Sequence, residues 1–176
     1  MEFDAEGEHF SVTGVIDEST PEIFRAITSQ HPHIKTLVLQ YVEGSVDDDA
    51  NLEFSRDVRD LGFDTIVPSD GLIASGGTDL FLAGNRRTLE SGACVGVHSW
   101  GGEGPPAAEL PRDHHEHAKY LDYYRDLGVD LEFYWYTLAA APAAEMHWMS
   151  ADEADRFGLT TGQSPELGAS IVCHGR

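Results

Sequence analysis

The chain has 176 residues and a formal net charge of −20, from 31 Asp and Glu against 11 Lys and Arg, with only Lys35 and Lys119 as lysines. That balance excludes nucleic acid and anionic membrane surfaces as partners, because binding them needs cationic groups that release counterions, and it predicts a fold that depends on salt screening, as in a salt-rich setting. A hydrophobic content of 41% fits one folded domain over 1–176, and no apolar run is long enough to span a bilayer.

The opening "MEFDAEGEHF" is acidic and lacks the basic and apolar regions of a signal peptide, so the chain as it stands reads as cytoplasmic, or periplasmic if a leader has been removed. "HFSVTGVI" reads as a strand of small and β-branched residues. "STPEIFRAITSQ" reads as a helix, with a capping box from Ser19 and Glu22, Pro21 in the first turn, and Ile23, Phe24 and Ile27 on the buried face. "KTLVLQY" fits a buried parallel strand. "ANLEFSRDVRDLG" fits a helix with Phe54, Val58 and Leu61 on one stripe and Gly62 as its stop. "FDTIVP", "GLIAS" and "ACVGVHS" read as further strands, and "GTDLFLAG" as a helix between the last two. This alternation predicts an α/β domain with a largely parallel sheet.

The second half is different. "EGPPAAELPRD" is a loop rich in Pro and Gly. "HHEHAKYLDYYRDLG" and "DLEFYWYTLAAA" read as two helices separated at Gly128. Leu131, Tyr134, Trp135 and Leu138 give the second an apolar aromatic face, suited to core packing, an oligomer interface or an acyl-chain groove. His114, His115 and His117 lack metal-ligand spacing and read as a solvated helix start, so no metal is expected. "MSADEADRFGL" carries a capping box from Ser150 and Glu153, and "ASIVC" reads as a last strand. Cys94 reads as a small buried hydrophobe; whether it bridges to Cys173 is not legible.

Chemistry concentrates on "LIASGGTDLFLAG". Ser75 stands between a short strand and two glycines that let a substrate approach the backbone, and a helix begins behind it, whose first amides stabilise developing negative charge. The window is not a lipase-type elbow, since Ile73 occupies the first glycine position. His98, at the end of a later strand, is the natural base for a serine. The loop "YVEGSVDDD" follows a buried strand, and such loops line sites in α/β folds.

Taken in order, "EGSV", "ASGGTDLFLAG", "GVHSW", the helical excursion and "MSADEADRFGL" resemble the ClpP/crotonase superfamily over roughly Val12 to Thr161. Within it the chain is most similar to ClpP-like serine peptidases, in a branch often predicted to be periplasmic. The resemblance implies a mostly parallel sheet in a ββα-type superhelix with a C-terminal helical excursion. It implies a serine hydrolase acting on a peptide or other acyl substrate, with Ser75 as nucleophile, His98 as base and no cofactor. It implies an oxyanion hole from the amides of Gly76 and of Gly44 or Glu43, the latter standing where the family has glycine. It also implies assembly into a trimer, hexamer or larger ring through the helical excursion. The family's triad Asp falls at Met146; the adjacent Glu145 could supply the acid, and a Ser-His dyad or an acid from elsewhere are alternatives. Two other functions fit the same superfamily: a crotonase-type acyl-CoA enzyme, and a binding or assembly module without catalysis. The geometric expectation is Ser75 Oγ within hydrogen-bond reach of a His98 nitrogen.

Overall fold

The computed structural model describes residues 1–101 and 104–176. Its strands are β1 (Glu2–Glu6), β2 (His9–Thr13), β3 (Thr36–Val42), β4 (Asp64–Val67), β5 (Leu72–Ala74), β6 (Arg87–Leu89), β7 (Cys94–Val97) and β8 (His147–Trp148). The helices are α1 (Thr20–Gln30), α2 (Asp48–Asp60), α3 (Gly76–Leu82), α4 (Ala118–Leu127), α5 (Leu131–Ala140), α6 (Ala151–Arg156) and α7 (Ser170–Cys173). The result is a mixed α/β domain whose internal strand pairs are parallel, with antiparallel pairs, among the described residues, only at β1–β2 and β7–β8.

The sheet forks at β3. Its first residues, Thr36 to Val38, pair with β4, and its last, Tyr41 and Val42, pair with β5. One branch runs on from β4 to β6, the other from β5 through β7 to β8. The second branch carries the site, because β5 leads into Ser75 and β7 into His98. Phe24 packs against both Phe54 and Phe63 in the core. Among the described residues no helix is long and apolar enough to cross a membrane.

Several local expectations are corrected. The acidic opening forms β1, and β6 and β8 are strands where none was expected; all three are short or polar and owe their form to a neighbouring strand. Ser19 makes no capping bond to α1; its hydroxyl donates instead to Asp17 Oδ1 at 2.7 Å. Ile23 and Leu61 are exposed rather than buried, being at the edge of the α1 stripe and beyond the end of α2. "ASIVC" is the short helix α7, not a strand, and it is fixed by a disulfide from Cys173 to Cys94 in β7. Cys94 is buried as expected, but as half of that bond. His117 is wholly buried rather than solvated, its Nδ1 2.6 Å from the Tyr134 hydroxyl. The capping box of Ser150 and Glu153 is present. Of the loop "EGPPAAELPRD", Glu103 lies outside the described residues.

Candidate active site

Ser75 is the hinge between β5 and α3, with φ 52° and ψ −124°. Among the described residues no other non-glycine residue has a positive φ. Such a conformation costs on the order of 1–3 kcal/mol and persists only where the surroundings over-determine it. Here the Ser75 amide donates to Gly96 O at 3.0 Å, and its carbonyl accepts from the Thr78 amide at 2.8 Å. The Thr78 hydroxyl donates to the same Gly96 carbonyl at 2.9 Å. Close packing explains the two glycines that follow: a Cβ on Gly76 would stand 2.6 Å from Ser45 Oγ, and one on Gly77 2.3 Å from Val42 O. A strained strand-to-helix turn is thus reached without the first glycine of the lipase motif.

The register of β5 on β7 pairs Ala74 with Gly96, so Ser75 and His98 leave neighbouring strand ends on one side of the molecule. The two line the same deep cavity and the same shallow depression beside it. The expected direct bond is not formed: among the described residues no hydrogen bond joins Ser75 Oγ to His98. The His98 ring is held by its other edge, with Nδ1 3.1 Å from the Ala143 carbonyl. A carbonyl only accepts, so Nδ1 carries the proton and Nε2 is the basic nitrogen. In catalytic pairs the nucleophile–base contact often tightens only in the substrate complex.

Glu145 does not take the acid's place. It is exposed, its amide closes a turn onto Pro142 O at 2.9 Å, and its carboxylate makes no hydrogen bond or ion pair among the described residues. Met146 packs over Gly96, its Sδ 2.7 Å from where a Cβ there would sit. His147 points instead to Glu153 Oε1, at 3.0 Å. The group that orients His98 is a backbone carbonyl, a partner that leaves no mark in a sequence.

Gly44 adopts φ 141°, and a Cβ on it would stand 3.1 Å from Ser75 Cβ and 3.5 Å from Ser75 Oγ. The "EGSV" turn is therefore in contact with the candidate nucleophile. Its register is fixed by the Ile16 amide, which donates to Gly44 O at 2.9 Å. Neither the Gly44 nor the Gly76 amide donates a turn, loop or cap hydrogen bond among the described residues. The Glu43 side chain is exposed and accepts from the Tyr41 hydroxyl at 3.2 Å. Burial and the Glu43 charge together raise the Tyr41 pKa.

Beside Ser75 lies a cavity of about 40 Å³, roofed by the helical excursion. Asp48 from α2, Asp79 from α3, Tyr120 and Tyr124 from α4 and Tyr134 from α5 line it. Tyr120 donates to Asp48 Oδ2 and Tyr124 to Asp79 Oδ1, each at 2.5 Å. Ser45 Oγ donates to Asp48 Oδ1 at 2.7 Å, and Trp100 Nε1 to the Tyr134 hydroxyl at 2.9 Å. Burial pushes the Asp79 pKa up to about 7; the Tyr124 hydrogen bond opposes the rise and the Asp48 charge adds to it. Sequence reasoning missed these residues. One signal was present: Asp79 lies one helical turn after Ser75.

No family model and no curated protein matches this chain. Among solved structures it is similar to a serine-to-alanine mutant of the 1510-N membrane-bound stomatin-specific protease, with a TM-score of 0.57 and 15% identity. The match covers 90% of this chain and 77% of that one. The fold is ClpP-like. At this identity the likeness carries the ClpP-like fold alone, and the case for the site rests on its geometry.

Proposed function

We propose that this chain is a ClpP-like serine hydrolase acting on peptides. Ser75 Oγ attacks the scissile carbonyl, and His98 Nε2 takes its proton and returns it to the leaving amine. The Ala143 carbonyl holds the ring in the tautomer this needs. The amides of Gly76 and of Gly44 or Glu43 receive the oxyanion. Water, activated by the same nitrogen, then releases the acyl group. No cofactor enters these steps. The observation that carries the reading is the strained backbone of Ser75, fixed beside both His98 and the "EGSV" turn.

Hydrolysis of short fluorogenic peptides tests the roles. Ser75→Ala is expected to abolish turnover, and His98→Ala to lower kcat by roughly 10²–10⁴-fold. Glu145→Gln is expected to change it less than about twofold, since a carboxylate that orients His98 would be worth far more. A loss of tenfold or more in that variant would return Glu145 to the triad.

Assembly through the helical excursion belongs to the same proposal. Tyr134 and Leu138 are buried within the subunit, which leaves the half-buried Leu131 and Trp135 as the apolar part of that face. The Cys94–Cys173 bond supports action in an oxidising compartment.

A further inference from the structure

The cavity beside Ser75 has the chemistry of a cation-binding pocket. Two carboxylates, Asp48 and Asp79, face it, and neither a lysine nor an arginine lines it. Lys119, outside the lining, pairs with Asp49 at 2.8 Å, its Nζ 5.3 Å from the centroid of the Tyr120 ring. The walls are aromatic: Trp100 stacks on Tyr120 at 5.7 Å, and Tyr120 on Tyr134 at 5.4 Å between centroids. Aromatic faces combined with carboxylates attract an ammonium or guanidinium group, and more strongly once it is desolvated. Asp79 is half-buried and lines the cavity. Among the described residues the side-chain partners of both carboxylates are hydroxyl donors, and neither carboxylate is in an ion pair.

We infer that this cavity is a specificity pocket for a basic side chain, lysine or arginine, on the residue that supplies the scissile carbonyl. Its place in the reaction rests on the hydrolase reading, because Ser75 and Gly76 are among the residues that line it. A side chain one bond from the attacked carbonyl is the part of a peptide that reaches such a pocket. Its charged end meets Asp79 and Asp48, and its stem lies along the tyrosines. Neutral side chains gain no ion pair with the two carboxylates, and acidic ones are repelled.

The test pairs a charged probe with a neutral isostere, benzamidine with benzamide, on the folded protein. Benzamidine at millimolar concentration is expected to raise Tm by about 2 °C or more, and benzamide to leave it unchanged. The shift is expected to vanish in Asp79→Asn and to shrink in Asp48→Asn. No shift in the wild type, equal shifts for both probes, or a benzamidine shift that survives in both folded variants would overturn the inference. If neither variant folds, the wild-type comparison of the two probes decides. A second arm uses peptides that differ only at the residue before the scissile bond. Lysine and arginine are expected to exceed leucine by at least about tenfold in kcat/KM, and Asp79→Asn to bring the ratio near one. Turnover of the peptides without benzamidine binding and without basic preference defeats the pocket and leaves the hydrolase. Benzamidine binding without any turnover or labelling of Ser75 defeats the hydrolase and leaves the pocket.

Discussion

Gly44 has no side chain where a Cβ would crowd the candidate nucleophile. Its φ of 141° strains any side chain, and a Cβ there would stand 3.1 Å from Ser75 Cβ. Gly44→Ala is expected to destabilise the fold by roughly 1–3 kcal/mol in urea unfolding and to remove hydrolysis, since the new methyl group presses on the nucleophile. A variant with wild-type stability and turnover would show that this turn is not part of the site. Asp79 gives a second prediction at this scale. Its folded pKa of about 7 lies above the ordinary carboxylate value, so its contribution to stability is fully present in acid and is lost as pH rises through about 7. Asn at this position keeps an acceptor for Tyr124 and carries no charge. Asp79→Asn is therefore expected to match the wild type near pH 4 and exceed it in Tm at pH 8, as thermal melts across that range would read. Ser75 and His98 could be picked out in the sequence because their residue types and order carry meaning. The Ala143 carbonyl could not, since every residue has one, and Asp48 and Asp79 were hidden among many acidic residues.

Elements with their own periodicity or capping, such as α2, α5 and α6, could be read directly. Those made by pairing could not: β6 and β8 have three and two residues and acquire strand form only from β4 and β7. The helix α7 was likewise unreadable, because its four residues are held by the bond from Cys173 to Cys94. That bond closes a loop across a separation of 79 residues and ties the C-terminal segment to the strand that leads to His98. Reduction is expected to cost roughly 2–4 kcal/mol of unfolding free energy, measurable by urea denaturation with and without reductant. At α6, burial alone would raise the Glu153 pKa, but the Ser150 amide, the Tyr136 and Ser150 hydroxyls and His147 lower it to about 2. With the folded value depressed, the stabilisation is present above the unfolded value near 4.5 and is lost as pH falls through about 2. Glu153→Gln is expected to lower stability by about 1 kcal/mol at neutral pH and to flatten that acid limb. An unaltered acid limb would mean that the cap does not hold α6.

For the whole molecule, charge and architecture lead to different measurements. A net charge of −20 on 176 residues repels itself. Thermal stability is therefore expected to rise from low to molar salt, and an unchanged Tm would contradict a salt-adapted surface. Light scattering tests the assembly proposed through the helical excursion, which predicts a trimer or larger and is contradicted by a monodisperse monomer. The parallel α/β architecture was legible from the alternation of elements. The fork at β3 was not, because it depends on how one strand divides its edge between β4 and β5. Yet that fork brings Ser75, His98 and the "EGSV" turn together. Fluorophosphonate labelling followed by peptide mass spectrometry, at low and molar salt, tests that convergence most directly. The predicted result is a single adduct on Ser75, absent in Ser75→Ala and formed on the order of a hundredfold more slowly in His98→Ala. No adduct on Ser75 at any salt concentration would contradict it.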